Sequence, residues 1–156
     1  MNKLNELREK KLDNKGFSLV ELIIVIAIMA VLIGVLAPQY LKYVEKSRKS
    51  ADLDNYQAVI TAVQVYYSDV ENVLPAAGTY NFVIGADGKV TSTIPAEIKD
   101  ACDDASVDVT KMTMKSKTYR DKTLVFTVTA NGKSGFSCKD TELAGALSIS
   151  TTAVAD

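Results

Sequence analysis

The chain has 156 residues, 47% of them apolar, with 18 Lys and Arg against 19 Asp and Glu, a net charge of -1 and no histidine. That length holds one small domain and a long helix. The lack of histidine excludes Ser-His-Asp and Cys-His catalysis and His-based metal sites, and the near-neutral charge gives no bulk attraction for nucleic acid or anionic lipid.

Residues 1–16, MNKLNELREKKLDNKG, are polar and of mixed charge, and Lys10, Lys11 and Lys15 stand close to the apolar run that follows. From Phe17 to Ala37 there are 21 residues with no proline and one charge, Glu21. As a helix this run is about 30 Å long, enough to cross a bilayer. A secretory signal has a shorter apolar core with its cleavage site after it. Here the run is longer and the plausible cut precedes it, which leaves the apolar segment on the mature protein as an anchor. An uncleaved signal anchor is the other reading of these residues. Basic residues flank both ends, with Lys42, Lys46, Arg48 and Lys49 beyond the far one, so charge counting leaves orientation open. A carboxylate within an apolar helix costs about 2.5 to 3.5 kcal/mol, so Glu21 needs a partner or must reach the headgroups. Pro38 lacks an N–H and crowds the carbonyl of Gly34; either a kink forms there, or Pro38 begins a new helix at the membrane surface.

Lys15-Gly16-Phe17-Ser18-Leu19-Val20-Glu21, followed at once by the unbroken apolar run, resembles the class III signal of type IV prepilins and pseudopilins. The Gly-Phe pair, the Glu five positions after the Gly, the charged leader and the apolar run coincide, and they cover the first third of the chain. The resemblance implies that Gly16 is the last leader residue, cut by a prepilin peptidase, and that Phe17 is the N-methylated mature N-terminus. It implies that Glu21 of one subunit neutralises the Phe17 amine of its neighbour as a filament grows. Residues 1–16 are then a cytoplasmic leader, 17–38 a transmembrane and assembly helix, and 39–156 the exported head. Without its leader, which holds five basic and three acidic residues, the chain keeps 13 basic and 16 acidic residues, a charge of -3. In that family the helix is often curved or partly melted in the region of Gly34 and Pro38, a joint that lets a filament stretch.

Beyond Pro38 the helical pattern resumes. Leu53, Tyr56, Ile60, Val63, Tyr67 and Val70 recur at steps of three and four, widened by Val59 and Tyr66, which predicts an amphipathic helix to about residue 72, ended by Pro75 and Gly78. Two hairpins are expected: Thr79 to Ile84 with Lys89 to Ile94 around Gly85-Ala86-Asp87-Gly88, and Lys122 to Thr129 with Lys133 to Cys138 around Asn131-Gly132, which suits a tight primed turn. Pro95 to Asp104 reads as a short helix. From Val107 to Lys115 the chain alternates, with Val107, Val109 and Met112 or Met114 as inward candidates. The tail from Leu143 to Asp156 reads as an edge strand or as disordered. The fold class is α+β: one face of three or four antiparallel strands, at about residues 79–142, packs on the long helix, an arrangement similar to the pilin head.

In an exported domain, Cys102 and Cys138 read as a disulfide joining the short helix to the last hairpin, the other reading being two reduced thiols. Asp100, Asp103, Asp104 and Asp108 are a carboxylate cluster that reads as a solvated acidic face, the other reading being a Ca2+ site, although their spacing matches no calcium-loop motif. Lys111, Lys115, Lys117, Arg120 and Lys122, with Tyr119, form a basic run that reads as surface, the other reading being contact with nucleic acid or an acidic glycan. The seven tyrosines read as packing. There is no Gly-rich phosphate loop, and neither an enzyme site nor a cofactor is expected. The resemblance implies a pilus subunit of a homo-oligomeric helical filament, held in the inner membrane before assembly and on the cell surface after it, with a prepilin peptidase and the type IV pilus assembly machinery as partners. A pseudopilin of a secretion or competence system and a membrane-anchored binding domain that never polymerises are the alternatives.

Overall fold

The computed structural model describes residues 18–91 and 93–152, so the expected leader, Gly16 and Phe17 lie outside the described residues. The elements in chain order are α1 (Leu19–Tyr66), β1 (Gly78–Val83), α2 (Ala96–Asp104), β2 (Thr123–Val128), β3 (Ser134–Ser137) and α3 (Thr141–Leu147). A long helix and a small antiparallel sheet make this the expected α+β chain. It divides into two units, one ending at Tyr43 and the other beginning at Val44.

α1 runs through Pro38 without interruption, which corrects the reading in which Pro38 begins a new helix. Pro38 offers no N–H to the carbonyl of Gly34, and Gly34 stands in open space. The helix ends at Tyr66 rather than near Asn72, and the cause is local. The Asn72 side-chain amide donates to the Tyr66 carbonyl, the Ser68 hydroxyl donates to the Val65 carbonyl, and the Glu71 N–H donates to Asp69 Oδ1. Short polar side chains thereby occupy groups that another helical turn would use. Val70 is consequently 99% exposed, whereas Tyr56, Val59, Ile60 and Val63 are buried as the stripe predicts.

The sheet order is β1-β2-β3, antiparallel throughout, with Tyr80 opposite Phe126 and Phe126 opposite Phe136. Side chains alternate along a strand. One face therefore carries Tyr80 and Phe82, Leu124, Phe126 and Val128, and Phe136, and these join the buried face of α1 in one apolar cluster. Phe126 is its hub, with ring centroids 5.8 Å from Tyr67 and 5.0 Å from Phe136.

The β2–β3 hairpin forms where Asn131-Gly132 predicts it, but by a different turn. The Gly132 N–H donates to the Thr129 carbonyl and the Thr129 N–H to the Lys133 carbonyl, and of the two turn residues only Gly132 has a positive φ, 75°. That is a three-residue loop ending in a left-handed glycine, since a two-residue primed turn needs positive φ at both positions. The first expected hairpin is reduced to a single bridge between Ile84 and Val90, and Lys89 pairs with Thr113 instead. Gly88 directs the chain there: its φ is 82°, its carbonyl accepts the Met114 N–H, and a Cβ on it would lie 2.2 Å from the Met114 carbonyl oxygen. Val109 and Met114 point inward as expected, Val109 from a turn and Met114 from irregular chain rather than from a strand.

α2 starts after Pro95 as expected. The expectation of an edge strand or disorder from Leu143 to Asp156 is corrected as far as Leu147 by α3; beyond it Ser150 forms a parallel bridge with Ser137 at the end of β3, and residues 153–156 lie outside the described residues. Asp140 caps that helix, its side chain accepting the Leu143 N–H at 2.9 Å, and Leu143, Ala144 and Leu147 are buried.

Candidate functional site

The apolar part of α1 contains an 18-residue stretch long and apolar enough to cross a membrane, and none of it is buried. At its start the backbone N–H of Ser18 donates to Glu21 Oε2 at 2.9 Å. Ser18 precedes the first helical residue and Glu21 is the third inside it. This is the Ser-x-x-Glu spacing of a capping box, in which the carboxylate reaches back to an amide that the helix leaves unpaired. A negative charge there also complements the partial positive charge of the helix N-terminus. Glu21 therefore has a partner within its own segment. The Ser18-x-x-Glu21 spacing that signals this partner is legible in the sequence.

A second constellation, not anticipated from the sequence, lies in the unit that begins at Val44. Glu45, Lys49, Asp52 and Tyr56 are spaced four, three and four apart, which places them on one side of α1. Asp52 is 1% exposed, and its two carboxylate oxygens accept the backbone N–H groups of Lys115 and Ser116 at 2.8 and 2.7 Å. Glu45 accepts the Lys117 N–H at 2.9 Å, and the Tyr56 hydroxyl donates to the Tyr119 carbonyl at 3.0 Å. Lys49 pairs with Glu142 of α3 at 2.8 Å and stands over the Tyr119 ring. Its Nζ pKa is raised, first by the hydrogen bond to Glu142. These contacts clasp the segment 115–119 and α3 onto the helix.

The clasp accounts for much of the expected basic run. Tyr119 is buried, Lys122 pairs with Asp140 at 2.5 Å, Lys111 pairs with Asp108, and the Arg120 guanidinium donates to the carbonyls of Met114 and Lys115. Arg120 and Lys122 thus have partners within the chain, whereas Lys111, Lys115 and Lys117 are exposed, as the surface reading expects. The acidic group is divided in the same way: Asp103 pairs with Lys99, and the Asp108 carboxyl is held down at about 2, chiefly by hydrogen bonds from Lys111 and Thr110. Among the described residues no three Cys, Asp or Glu groups converge on a metal position.

The structure holds Cys102 and Cys138 as free, buried thiols, which corrects the expected bridge. Burial pushes the Cys102 thiol up to about 11 and raises that of Cys138 as well.

Residues 11–37 match the family model described as the prokaryotic N-terminal methylation motif. The chain is 34% identical to the fimbrial protein EcpC of Eikenella corrodens over 119 residues, covering 75% of this chain and 76% of that protein. It is 32% identical to the type IV major pilin protein PilA of Myxococcus xanthus over 69 residues, which are 44% of this chain and 31% of that relative. No solved structure matches.

Proposed function

The chain belongs to the type IV pilin family, and from that premise we propose that it is the structural subunit of a type IV pilus. The apolar part of α1 anchors it in the inner membrane and then polymerises it into an extracellular filament. The observation that carries this reading is the wholly exposed apolar stretch, opened by a carboxylate at the third helical position. So much bare apolar surface needs a cover. Lipid supplies it before assembly, and the same helices of other subunits supply it afterwards.

In this reading a prepilin peptidase cuts between Gly16 and Phe17, the new Phe17 amine is methylated, and residues 39–156 form the exported head. Cleavage places a cation one residue before Ser18. In the filament Glu21 of one subunit meets the Phe17 amine of the next, so that two charges costly in an apolar core offset each other and fix the register of entry. Gly34 and Pro38 supply a bend in the anchor. The filament serves surface adhesion, twitching motility or DNA uptake, driven by the pilus assembly machinery, and the subunit itself catalyses nothing.

Intact mass and N-terminal sequencing of protein sheared from cells test this. The expected material begins at methylated Phe17, lacks residues 1–16 and pellets as long filaments. Leader-bearing protein confined to membranes overturns the reading in favour of an anchored domain that does not polymerise, and a short filament confined to the envelope marks a pseudopilin.

A further inference from the structure

Five of the seven tyrosines belong to the head: Tyr56 and Tyr119 are buried in its core, and Tyr66, Tyr67 and Tyr80 pack against it. Tyr40 and Tyr43 do not, which corrects the expectation that all seven serve packing; they are 68% and 71% exposed. Both lie in the unit that ends at Tyr43. Spaced by three on α1, they share one side of the helix. Lys42, exposed, lies between them along the axis but off their shared side of the helix, and is the one charged residue from Leu22 to Val44.

Their position along the helix gives them a use. From Leu19 to Pro38 the helix rises about 30 Å, the thickness of a bilayer's hydrocarbon core. Tyr40 and Tyr43 follow within about 8 Å of axial rise beyond Pro38, a span comparable to one headgroup layer. A phenol ring suits that layer, with its apolar body against the upper acyl chains and its hydroxyl in the hydrated zone. A lysine at the same depth meets the phosphates.

We infer that Tyr40, Lys42 and Tyr43 form a lipid-headgroup anchor that fixes the depth of the unassembled subunit in the outer leaflet of its membrane. The inference rests on the reading of α1 as a membrane segment before assembly. The occupant is phospholipid because the site continues the exposed apolar stretch and because its single charge is complementary to phosphate. Leaving the membrane for a filament then requires both rings to be withdrawn from the headgroup layer, so the same residues resist premature extraction.

The chain contains no tryptophan, so a single Trp reports depth without background. The full-length Tyr43→Trp and Val31→Trp variants are reconstituted in vesicles of phosphatidylethanolamine and phosphatidylglycerol, with bromines near the headgroup or deep in the acyl chain. The Tyr43→Trp indole is expected to emit at shortened wavelength and to lose fluorescence to the shallow bromines but not to aqueous iodide. Val31→Trp should lose fluorescence to the deep bromines. Adding Tyr40→Ser to Tyr43→Trp should move the quenching towards iodide. If Val31→Trp is quenched by lipid while Tyr43→Trp responds only to iodide, the anchor is refuted and the membrane reading survives. If lipid quenches neither, the membrane reading fails and the anchor with it. An unchanged depth in the Tyr40→Ser background refutes the role given to the paired rings.

Discussion

Asp52 shows how a single carboxylate organises a segment far from it in sequence. Buried at 1% exposure, it gives one oxygen to the Lys115 N–H and the other to the Ser116 N–H. Hydrogen bonds to a charged group contribute about 1.5 to 3 kcal/mol each, and their loss leaves buried donors without acceptors. Asp52→Ala should therefore destabilise the head by about 3 kcal/mol or more, measured by urea unfolding of the full chain in detergent. A change below about 1 kcal/mol would show that water replaces the carboxylate. The Lys122–Asp140 pair makes a prediction about pH. Lys122 holds the Asp140 carboxyl below its ordinary value, and Asp140 raises the Lys122 ammonium. A depressed carboxyl contributes stability that is complete above its unfolded pKa, about 3.9, and is lost as pH falls through the lower folded value. The native chain should thus melt at a higher temperature than Lys122→Ala at neutral pH, and the difference should shrink as pH drops below about 4. A gap that persists in strong acid would mean that the lysine acts through packing alone.

Among the elements, the start of α1 carries the sharpest test, because Glu21 has two separable properties. As a cap it needs an acceptor oxygen for the Ser18 N–H, and as a partner of a terminal amine it needs a negative charge. Glu21→Gln keeps the first and loses the second, whereas Glu21→Ala loses both. Both variants should be exported and cleaved yet yield few filaments, and only Glu21→Ala should fray the helix start, seen as faster amide exchange near Ser18. Normal piliation from Glu21→Gln would show that capping is the residue's whole role. The thiols of α2 and of the β3 end supply another test. With Cys102 pushed up to about 11 and both thiols buried, neither should be alkylated in the folded protein, and both should react in urea without reductant. Silence in urea until reductant is added would establish a bridge.

Legibility in the sequence follows from how local each signal is. The apolar run, its Ser18-x-x-Glu21 start and the Asn131-Gly132 hairpin each depend on neighbours within one element. The clasp depends on partners far along the chain, so Glu45, Lys49 and Asp52 look like any solvated helix face until the segment 115–119 closes over them. Asp140 caps α3, but the Ala and Ser around it carry little apolar period to announce that helix.

At the scale of the whole molecule, a filament subunit is judged by how it bears load, and the clasp has a bearing on this. Its anchoring residues, from Glu45 to Tyr56, are strung along about 17 Å of helix axis, and each grips a different point of the segment 115–119 or of α3. Tension applied along that axis loads these bonds together, in shear, so that no one of them fails ahead of the rest. Tension across the axis would instead peel them apart in turn from one end. The head is accordingly strong in one direction and weak in the other, and a pulling experiment that grips it along α1 should record a far higher rupture force than one that lifts α3 away from the helix.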